Sequence, residues 1–257
     1  SWCPHCVAGN VTCTHHNQGQ GLEDSEIPVV CMDNMFMGNK AEDERDDGAD
    51  KVIVGDDDIN KGEMDDTKAN ILVIRNARSK AMAAIPVKTK GADPEDWALK
   101  ETLRFLEFLG YTNVLMKTDQ EKALESLFTK TRIHPGDRIQ TMREVSPVGD
   151  SKSNGLVERA NRDVEAQVRT MASALESKLG QKIPADSSIL PWMILHAGTL
   201  LTQLSVGKDG KTPHQRLRGR KSKKQLLEIC ETVHFMPLDA LDQPNVDARY
   251  VDGVWLG

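Results

Sequence analysis

The chain has 257 residues, of which 39% are apolar, 28% charged and 4% aromatic. This composition predicts a water-soluble globular protein, and the length suits either one large domain with appendages or two small domains. Its most apolar stretch, residues 189–201, is too short to cross a bilayer and contains proline and histidine, so no membrane partner is expected. Five cysteines without an even framework favour a reducing compartment. The chain shows no signal peptide and does not begin with methionine, which predicts a fragment of a longer polypeptide.

The formal net charge of −6 hides an uneven distribution of charge. Residues 41–66 hold 12 acidic and 3 basic residues, which leaves 30 basic and 27 acidic residues elsewhere. The segment is polar and carries like charges in runs, so a disordered acidic insert is predicted. It could also bind metal ions diffusely. The remaining protein is mildly basic.

The pattern of apolar residues predicts alternating strands and helices. Strands are expected at residues 28–37, 71–75, 81–87, 113–119 and 138–145, with the second and third forming a hairpin. Helices are expected at 94–109, at 120–132, from residue 156 onward and at about 191–204. Asp93 is the predicted cap of the first helix, Pro94 its first residue and Gly110 its end. This order predicts a mixed α/β sheet covered by helices.

The longest predicted helix carries an apolar stripe, spaced at 3 and 4 residues from Val157 to Leu175. Asn154 and Gly155 are expected to precede this helix, because glycine tolerates the tight backbone of a turn. Glu158 would then lie in the first turn, with no lysine three or four residues further on. An acidic residue there ordinarily complements the helix dipole.

Three isolated acidic residues fall at predicted element ends or inside a strand. Asp33 interrupts an apolar strand, Asp119 ends a strand and Glu158 begins a helix. The last two have ordinary structural explanations, as a cap and as a partner of the dipole. Asp33 is harder to explain, because a carboxylate in a central strand is costly unless it binds a cation. Three converging carboxylates would be typical of a site for Mg²⁺ or Mn²⁺.

Three sequence blocks resemble the catalytic blocks of the integrases of retroviruses and long-terminal-repeat retrotransposons. In chain order they are VVCMDNMFMG, LMKTDQEKALESL and SPVGDSKSNGLVERAN. The flanks agree, since WCPHCVAG resembles the end of the integrase zinc-binding region and KTPHQRLRGRK resembles a segment that follows the catalytic domain in retrotransposon polyproteins. GVWLG resembles a segment still further downstream. The resemblance covers nearly the whole chain apart from the acidic insert, and the block around Glu158 is the most specific.

The resemblance implies a ribonuclease H-like fold, which is a mixed five-stranded sheet with helices on both faces. It assigns residues 27–206 to the catalytic core, residues 1–26 to a remnant of the zinc-binding region and linker, and residues 207–257 to a basic linker and the start of a C-terminal region.

The same resemblance implies DNA integration by metal-dependent polynucleotidyl transfer, which trims the element's DNA ends and joins them to target DNA. Asp33 matches a carboxylate that bridges two Mg²⁺ or Mn²⁺ ions, while Asp119 and Glu158 match those that hold one ion each. Asn161 matches a helix position that faces the active site. Asn34 departs from the pattern, because many relatives carry an aromatic residue there. The implied partners are DNA and further copies of the chain, and the implied location is the nucleus after synthesis in the cytoplasm.

Cys3 and Cys6, in the sequence CPHC, have the spacing of a metal knuckle. The resemblance makes them half of a His-His-Cys-Cys zinc site whose two histidines would lie upstream. Zn²⁺ binding by this chain would therefore need His15 or His16 as substitutes.

A basic segment covers residues 216–224, where six of nine positions are arginine or lysine. A solvated linker explains it as well as two functional interpretations taken together, which are salt-dependent contact with the DNA backbone and nuclear targeting. The DNA-contact interpretation uses Arg216, Arg218, Arg220 and Lys221.

Two other interpretations stay open. In the first, the chain is a catalytically inactive relic that still binds nucleic acid, which the incomplete zinc region favours and the intact acid triad opposes. In the second, it is a ribonuclease H-like nuclease acting on another nucleic acid. Such a nuclease would usually need a fourth carboxylate, for which Asp137 and Asp150 are the candidates nearby in sequence.

Overall fold

The computed structural model describes residues 4, 25–38, 68–88, 96–118, 121–133, 139–145, 151–184, 186–238 and 249–257. The strands in these ranges are β1 (Val29–Gly38), β2 (Lys68–Asn76), β3 (Met82–Val87), β4 (Asn113–Thr118), β5 (Gln140–Val145), β6 (Thr232–Phe235) and β7 (Val251–Val254). The helices of three or more residues are α1 (Trp97–Leu109), α2 (Lys122–Ile133), α3 (Ser151–Leu179), α4 (Leu190–Leu204) and α5 (Pro213–Arg218).

Five strands form a mixed sheet in the order β3-β2-β1-β4-β5. The central strand β1 pairs antiparallel with β2 and parallel with β4. The predicted hairpin is confirmed as β2 and β3, which pair antiparallel around a turn held by the side chain of Asn76. Its Oδ1 accepts hydrogen bonds from the backbone nitrogen and the hydroxyl of Ser79, each at 2.8 Å. The predicted five-stranded sheet flanked by helices is therefore confirmed.

Helices cover both faces of the sheet. One core lies between the sheet and helices α1 and α2, and it includes Val30, Met32, Leu72, Leu106 and Phe128. The other lies between the sheet and helices α3 and α4, and it includes Met35, Val73, Val164, Val168 and Ile194. Successive side chains of a strand point to opposite faces. Asp33 is therefore directed to the α3 face and Asn34 to the α2 face.

The long helix begins earlier than predicted. Helix α3 starts at Ser151, so Asn154 and Gly155 lie inside it and Glu158 is its eighth residue. The prediction of a first-turn Glu158 was wrong because propensity is a weak guide that packing overrides. Val157 is buried and belongs to a cluster with Val29 of β1, which supports the helix at this point. The predicted stripe is confirmed, since Val157, Ala160, Val164, Val168, Met171 and Leu175 are all buried.

Helix α1 begins later than predicted. It starts at Trp97 and is preceded by Asp96, which has a φ of 51° and makes no side-chain capping bond. The carboxylate of Asp96 instead accepts a hydrogen bond from Nζ of Lys130 at 2.6 Å, and this contact fastens α1 to α2. The cap predicted at Asp93 was therefore too early, and Asp93 and Pro94 lie outside the described residues. Gly110 ends the helix as predicted, with a φ of 74° and a bond to the carbonyl of Leu106.

Helix α4 packs directly on the edge strand β3. A Cβ on Gly198 would lie 2.8 Å from the backbone nitrogen of Ala84, so only glycine permits this approach. The hydroxyl of Thr202 accepts a hydrogen bond from the backbone nitrogen of Met82 and donates one to its carbonyl, both at 2.9 Å. These contacts fix the helix to the strand through backbone atoms.

Strands β1 and β2 are paired as far as Gly38 and Lys68. The acidic insert at residues 41–66 therefore leaves and rejoins the sheet between its first two strands in sequence. The insert lies outside the described residues, so its predicted disorder stays a prediction. Among the described helices, none is both long and apolar enough to cross a bilayer.

Candidate active site

Asp33 lies near the middle of the central strand and is half-buried under helix α3. Its Oδ2 accepts a hydrogen bond from Nδ2 of Asn161 at 2.9 Å. This contact joins the strand that carries the first predicted acid to the helix that carries the third.

Glu158 precedes Asn161 by three residues on α3. Helical residues at this spacing are neighbours on one face, with about 5–6 Å between their Cβ atoms. Glu158 is solvent-exposed, whereas Oδ1 of Asn161 is buried and has no hydrogen-bond partner within the described structure. A buried acceptor with no described partner suits a hard cation or the water bound to one. Asp33, Asn161 and Glu158 offer oxygen ligands of the kind that the predicted divalent metal takes.

Asp119 lies outside the described residues. Strand β4 ends at Thr118, whose partner across the parallel ladder is Met32, the residue before Asp33. Asp119 follows Thr118 directly in the chain. In the part of the chain that the structure describes, no group of three or more His, Cys, Asp and Glu side chains could hold a metal ion. The structure thus brings together Asp33, Asn161 and the helix face of Glu158, and the convergence of Asp119 with them stays a prediction.

Two buried cations on the α3 face of the sheet are already neutralised. Nζ of Lys117 lies 3.5 Å from Oε1 of Glu144 on the adjacent strand β5. Nη1 of Arg75 lies 3.1 Å from Oδ2 of Asp163 on α3. Burial lowers the pKa of Arg75, and Asp163 acts in the opposite direction. Lys117, two residues before Asp119, therefore already has a carboxylate partner in Glu144.

Sequence reasoning missed the contact between Asn34 and Glu121. Nδ2 of Asn34 donates to Oε2 of Glu121 at 2.7 Å, on the sheet face opposite Asp33. Glu121 immediately precedes α2. The two residues are 87 positions apart, so no local spacing could have revealed the pair.

The cysteines predicted to bind zinc, Cys3 and Cys6, lie outside the described residues together with His15 and His16. Zinc binding therefore stays a prediction. Cys31 is buried in the core, and burial raises the pKa of its thiol to about 11. This thiol is inert at neutral pH.

The basic segment contains cations of two kinds. Arg216 has its guanidinium committed, because it bonds both carboxylate oxygens of Asp209 and the carbonyl of Ser79. The hydrogen bond from Arg216 holds the pKa of Asp209 well below its usual range. Arg218 donates to the carbonyl of Phe108 at 2.7 Å and lies over its ring. Arg220 and Lys221 are exposed.

The strand order, the acid in the central strand and the long helix packed across it define a ribonuclease H-like fold. The chain is similar to structures from retroviruses. A chain of the simian T-cell lymphotropic virus intasome, solved in complex with the PP2A regulatory subunit B56 gamma, is 14% identical with a TM-score of 0.51. That match covers 96% of this chain and 75% of the other.

Two integrase catalytic cores are also similar. The core from HTLV-2, solved in complex with magnesium in a trimeric form, is 18% identical to this chain, with a TM-score of 0.45. The match covers 75% of this chain and 99% of the HTLV-2 chain. The core from BIV is 16% identical to this chain, with a TM-score of 0.42. That match covers 77% of this chain and 94% of the BIV chain. No protein-family model and no curated protein matches the chain. At 14% identity, the similarity to the intasome chain shows the fold alone, and this fold is the one implied by the three sequence blocks.

Proposed function

We propose that this chain is the catalytic core of an integrase of a retrovirus-like retrotransposon, acting on DNA by polynucleotidyl transfer. The observation that carries the proposal is the hydrogen bond from Asn161 to Asp33. It fastens the helix face of Glu158 against the carboxylate of the central strand, and both residues lie in sequence blocks that resemble those of integrases.

In this proposal Asp33, Asp119 and Glu158 hold a pair of Mg²⁺ or Mn²⁺ ions. When bound, such a pair stabilises both the attacking and the leaving oxygen of an in-line displacement at phosphorus. Asn161 orients Asp33, because its side-chain amide donates a hydrogen bond to Oδ2 of that carboxylate. Helix α3 presents Glu158 to solvent, where a DNA strand can reach it.

The proposed reaction has two displacements with the same residues. In the first, water attacks a phosphodiester near the element's end, the P–O3′ bond breaks, and a free 3′-hydroxyl remains. In the second, that 3′-oxygen loses its proton and attacks a target phosphodiester, so one P–O bond forms while the target's P–O3′ bond breaks. No oxidant or energy source is needed, because each bond broken is replaced by one of the same kind.

Two further features belong to this proposal. Joining two element ends requires two acid sites, so we propose that the active form contains at least two copies of the chain. The target is chromosomal DNA, so we propose a nuclear site of action. Zn²⁺ at Cys3 and Cys6 would belong to the neighbouring zinc-binding region rather than to the acid site.

The proposal is tested by strand transfer on duplex DNA carrying the element's end sequence, with Mg²⁺ or Mn²⁺. Glu158→Gln removes the charge and keeps the shape, so we expect product to fall at least a hundredfold. The matched control is Glu165→Gln, which neutralises another acid on α3 and should retain activity within about threefold. Activity that survives in Glu158→Gln would contradict the proposal. An inactive wild type that binds DNA would favour the relic, and cleavage without joining would favour the nuclease.

A further inference from the structure

A cleft of about 230 Å³ lies beside helix α5. Six residues line this cleft, which we call the basic cleft: His214, Arg218, Arg220, Lys221, Ser222 and Lys223. Four of the six carry a permanent positive charge, none is acidic, and Ser222 supplies their one hydroxyl group. Cations gathered in so small a volume repel one another unless an anion lies among them.

The hydroxyl of Ser222 fastens this part of the chain to helix α4. It donates a hydrogen bond to Oε1 of Gln203 at 3.0 Å and accepts one from the backbone nitrogen of Lys224 at 3.2 Å. Ser222 is half-buried, whereas the lysines on either side of it, Lys221 and Lys223, are exposed. The hydroxyl therefore lies at the solvent boundary of the basic cleft, between two exposed cations.

The backbone around Ser222 is free of regular structure. Residues 220–225 belong to no helix or strand, and within the described part of the chain they make no backbone–backbone hydrogen bond. Local opening costs least where backbone hydrogen bonds and buried apolar contacts are few. The segment can therefore straighten into the active site of a modifying enzyme while the sheet and its helices stay folded.

A basic residue stands on each side of four serine and threonine residues of the chain: Ser79, Thr89, Thr131 and Ser222. Ser79 and Thr131 are each only 2% exposed. Thr89 lies outside the described residues. Among the described residues, Ser222 is thus the one hydroxyl with two basic neighbours that solvent reaches.

The cations around Ser222 have no acidic partner. Arg220, Lys221 and Lys223 form no ion pair with a carboxylate of the described residues. A phosphate group carries about −1.5 to −2 charges at pH 7 and three strong acceptor oxygens, and lysine and arginine heads donate to such oxygens. A phosphate attached to Ser222 would therefore supply the missing anion from inside the chain.

We propose that Ser222 is a phosphorylation site for a protein kinase that selects serines between basic residues, and that the basic cleft holds the resulting phosphoserine. In this step Oγ of Ser222 attacks the γ-phosphorus of ATP, and its proton passes to the catalytic aspartate of the kinase. The new Oγ–P bond forms as the bond between that phosphorus and the bridging oxygen breaks, and ADP leaves. The proposal goes beyond the transfer reaction of the acid site and does not depend on it.

Phosphorylation exchanges one contact of the segment for another. The esterified Oγ has no proton left to donate to Gln203, so the segment loses this hydrogen bond to α4. The phosphate instead pairs with the cations of the basic cleft, because charge-assisted hydrogen bonds are about twice as strong as neutral ones. The modified cleft is then neutralised from within.

The site is tested by incubating the full chain with ATP, Mg²⁺ and the catalytic domain of protein kinase C, a kinase that accepts serines between basic residues, and by locating the phosphate with mass spectrometry. We expect phosphate on Ser222, and Ser222→Ala should lower incorporation at least tenfold. Ser222→Thr, which keeps a hydroxyl, should restore it. The matched control is Thr89→Ala, because Thr89 also lies between two lysines, and it should incorporate phosphate like the wild type.

Recognition by charge is tested with a variant that keeps Ser222. Kinases discriminate among substrates partly by charge pattern, so Arg220→Gln combined with Lys223→Gln should lower the initial rate at least fivefold. The control combines Lys208→Gln with Lys211→Gln, which removes two exposed lysines outside the basic cleft and should leave the rate within about twofold. Thermal melts establish that both variants fold. Equal rates in the two variants would overturn recognition by the cations around Ser222.

Capture of the phosphate is measured by phosphorus NMR titration of the phosphorylated chain. The second pKa of phosphoserine is about 6, and neighbouring cations lower it by favouring the dianion. We expect this pKa to be at least about half a unit lower in the folded chain than in the same chain unfolded in urea. Equal values would overturn the role of the basic cleft, and phosphate on another residue, or on none, would overturn the site.

Discussion

The side-chain amide of Asn34 donates a 2.7 Å hydrogen bond to the carboxylate of Glu121 across 87 positions of sequence. It ties the central strand to the residue just before α2. The chain from Thr118 to Glu121 is thus anchored at its start by the β1–β4 ladder and at its end by Asn34. Asn34, at the position where many integrases carry an aromatic residue, therefore has a structural partner in this chain.

A double-mutant cycle of Asn34→Ala and Glu121→Ala should show that the pair acts as a unit. We expect a coupling free energy of about 1 kcal/mol, because the bond is charge-assisted and partly buried. Urea denaturation of the two single variants and the double variant measures it. Asn70→Ala, which removes an exposed bond to the carbonyl of Lys88, provides a reference for an uncoupled amide. Additive losses would show that the contact contributes nothing of its own.

Glu158→Gln should leave the metal-free protein at least as stable as the wild type. Glu158 is the eighth residue of α3, and helix-dipole stabilisation fades beyond the first turn. In the proposed site, where Asp33, Asp119 and Glu158 converge, neutralising one carboxylate should instead relieve repulsion. Thermal melts with and without millimolar Mg²⁺ should show a smaller metal-dependent gain for the variant, because bound metal stabilises in proportion to ln(1 + [M]/Kd).

A metal-free variant that melts well below the wild type, together with an equal response of both to Mg²⁺, would make Glu158 a structural residue. Glu165→Gln is the reference here too, since it loses only an exposed pair with Arg169, worth about 0.3–0.5 kcal/mol.

Acidification should weaken the packing of α4 through His196. Burial lowers the pKa of this histidine, and the positive charge of Lys224 adds to the shift. A base with a lowered folded-state pKa contributes its full stability above its unfolded pKa of about 6.5. That stability is lost as pH falls below this value, because the unfolded chain binds the proton first. Melts at pH 7.5 and 5.5 should show a smaller acid-induced drop for His196→Leu than for the wild type, and equal drops would refute the assignment.

Deleting residues 41–66 should leave the melting temperature nearly unchanged, within about 2 °C. The strands on either side are already paired up to Gly38 and Lys68, and shortening a flexible loop changes its closure entropy only slowly. Differential scanning calorimetry of the full chain and the deletion variant measures this. A drop of many degrees would show that the insert packs on the fold.

Element order was readable from sequence because apolar periodicity marks each strand and helix locally. The stripe from Val157 to Leu175 is of this kind, and it lies buried as its spacing predicts. The start of α3 was misjudged because Asn154 and Gly155 suggest a turn locally, while packing of Val157 against β1 supports a helix. The contact between Val157 and β1 joins residues far apart in the chain, so it could not be predicted from the local sequence.

The site was partly predictable for a different reason. Burying a carboxylate in an apolar strand is costly unless it has a partner, so Asp33 could be singled out from the sequence. Its partner Asn161 was expected near the site from the resemblance alone. The pair of Asn34 and Glu121 and the neutralisation of Lys117 by Glu144 depend on sheet register and helix placement. Those quantities are set by the whole fold.

The hydrogen bond from Asn161 to Asp33 spans 128 residues, and this span decides when the site can exist. Contacts between distant parts of a chain form only after the loop-closure entropy has been overcome, and a chain still being synthesised lacks the later partner altogether. Strand β1 is synthesised before α3, so the contact between Asn161 and Asp33 cannot form on a chain that still lacks α3. The order of synthesis therefore delays assembly of the candidate site until both the central strand and the long helix are present.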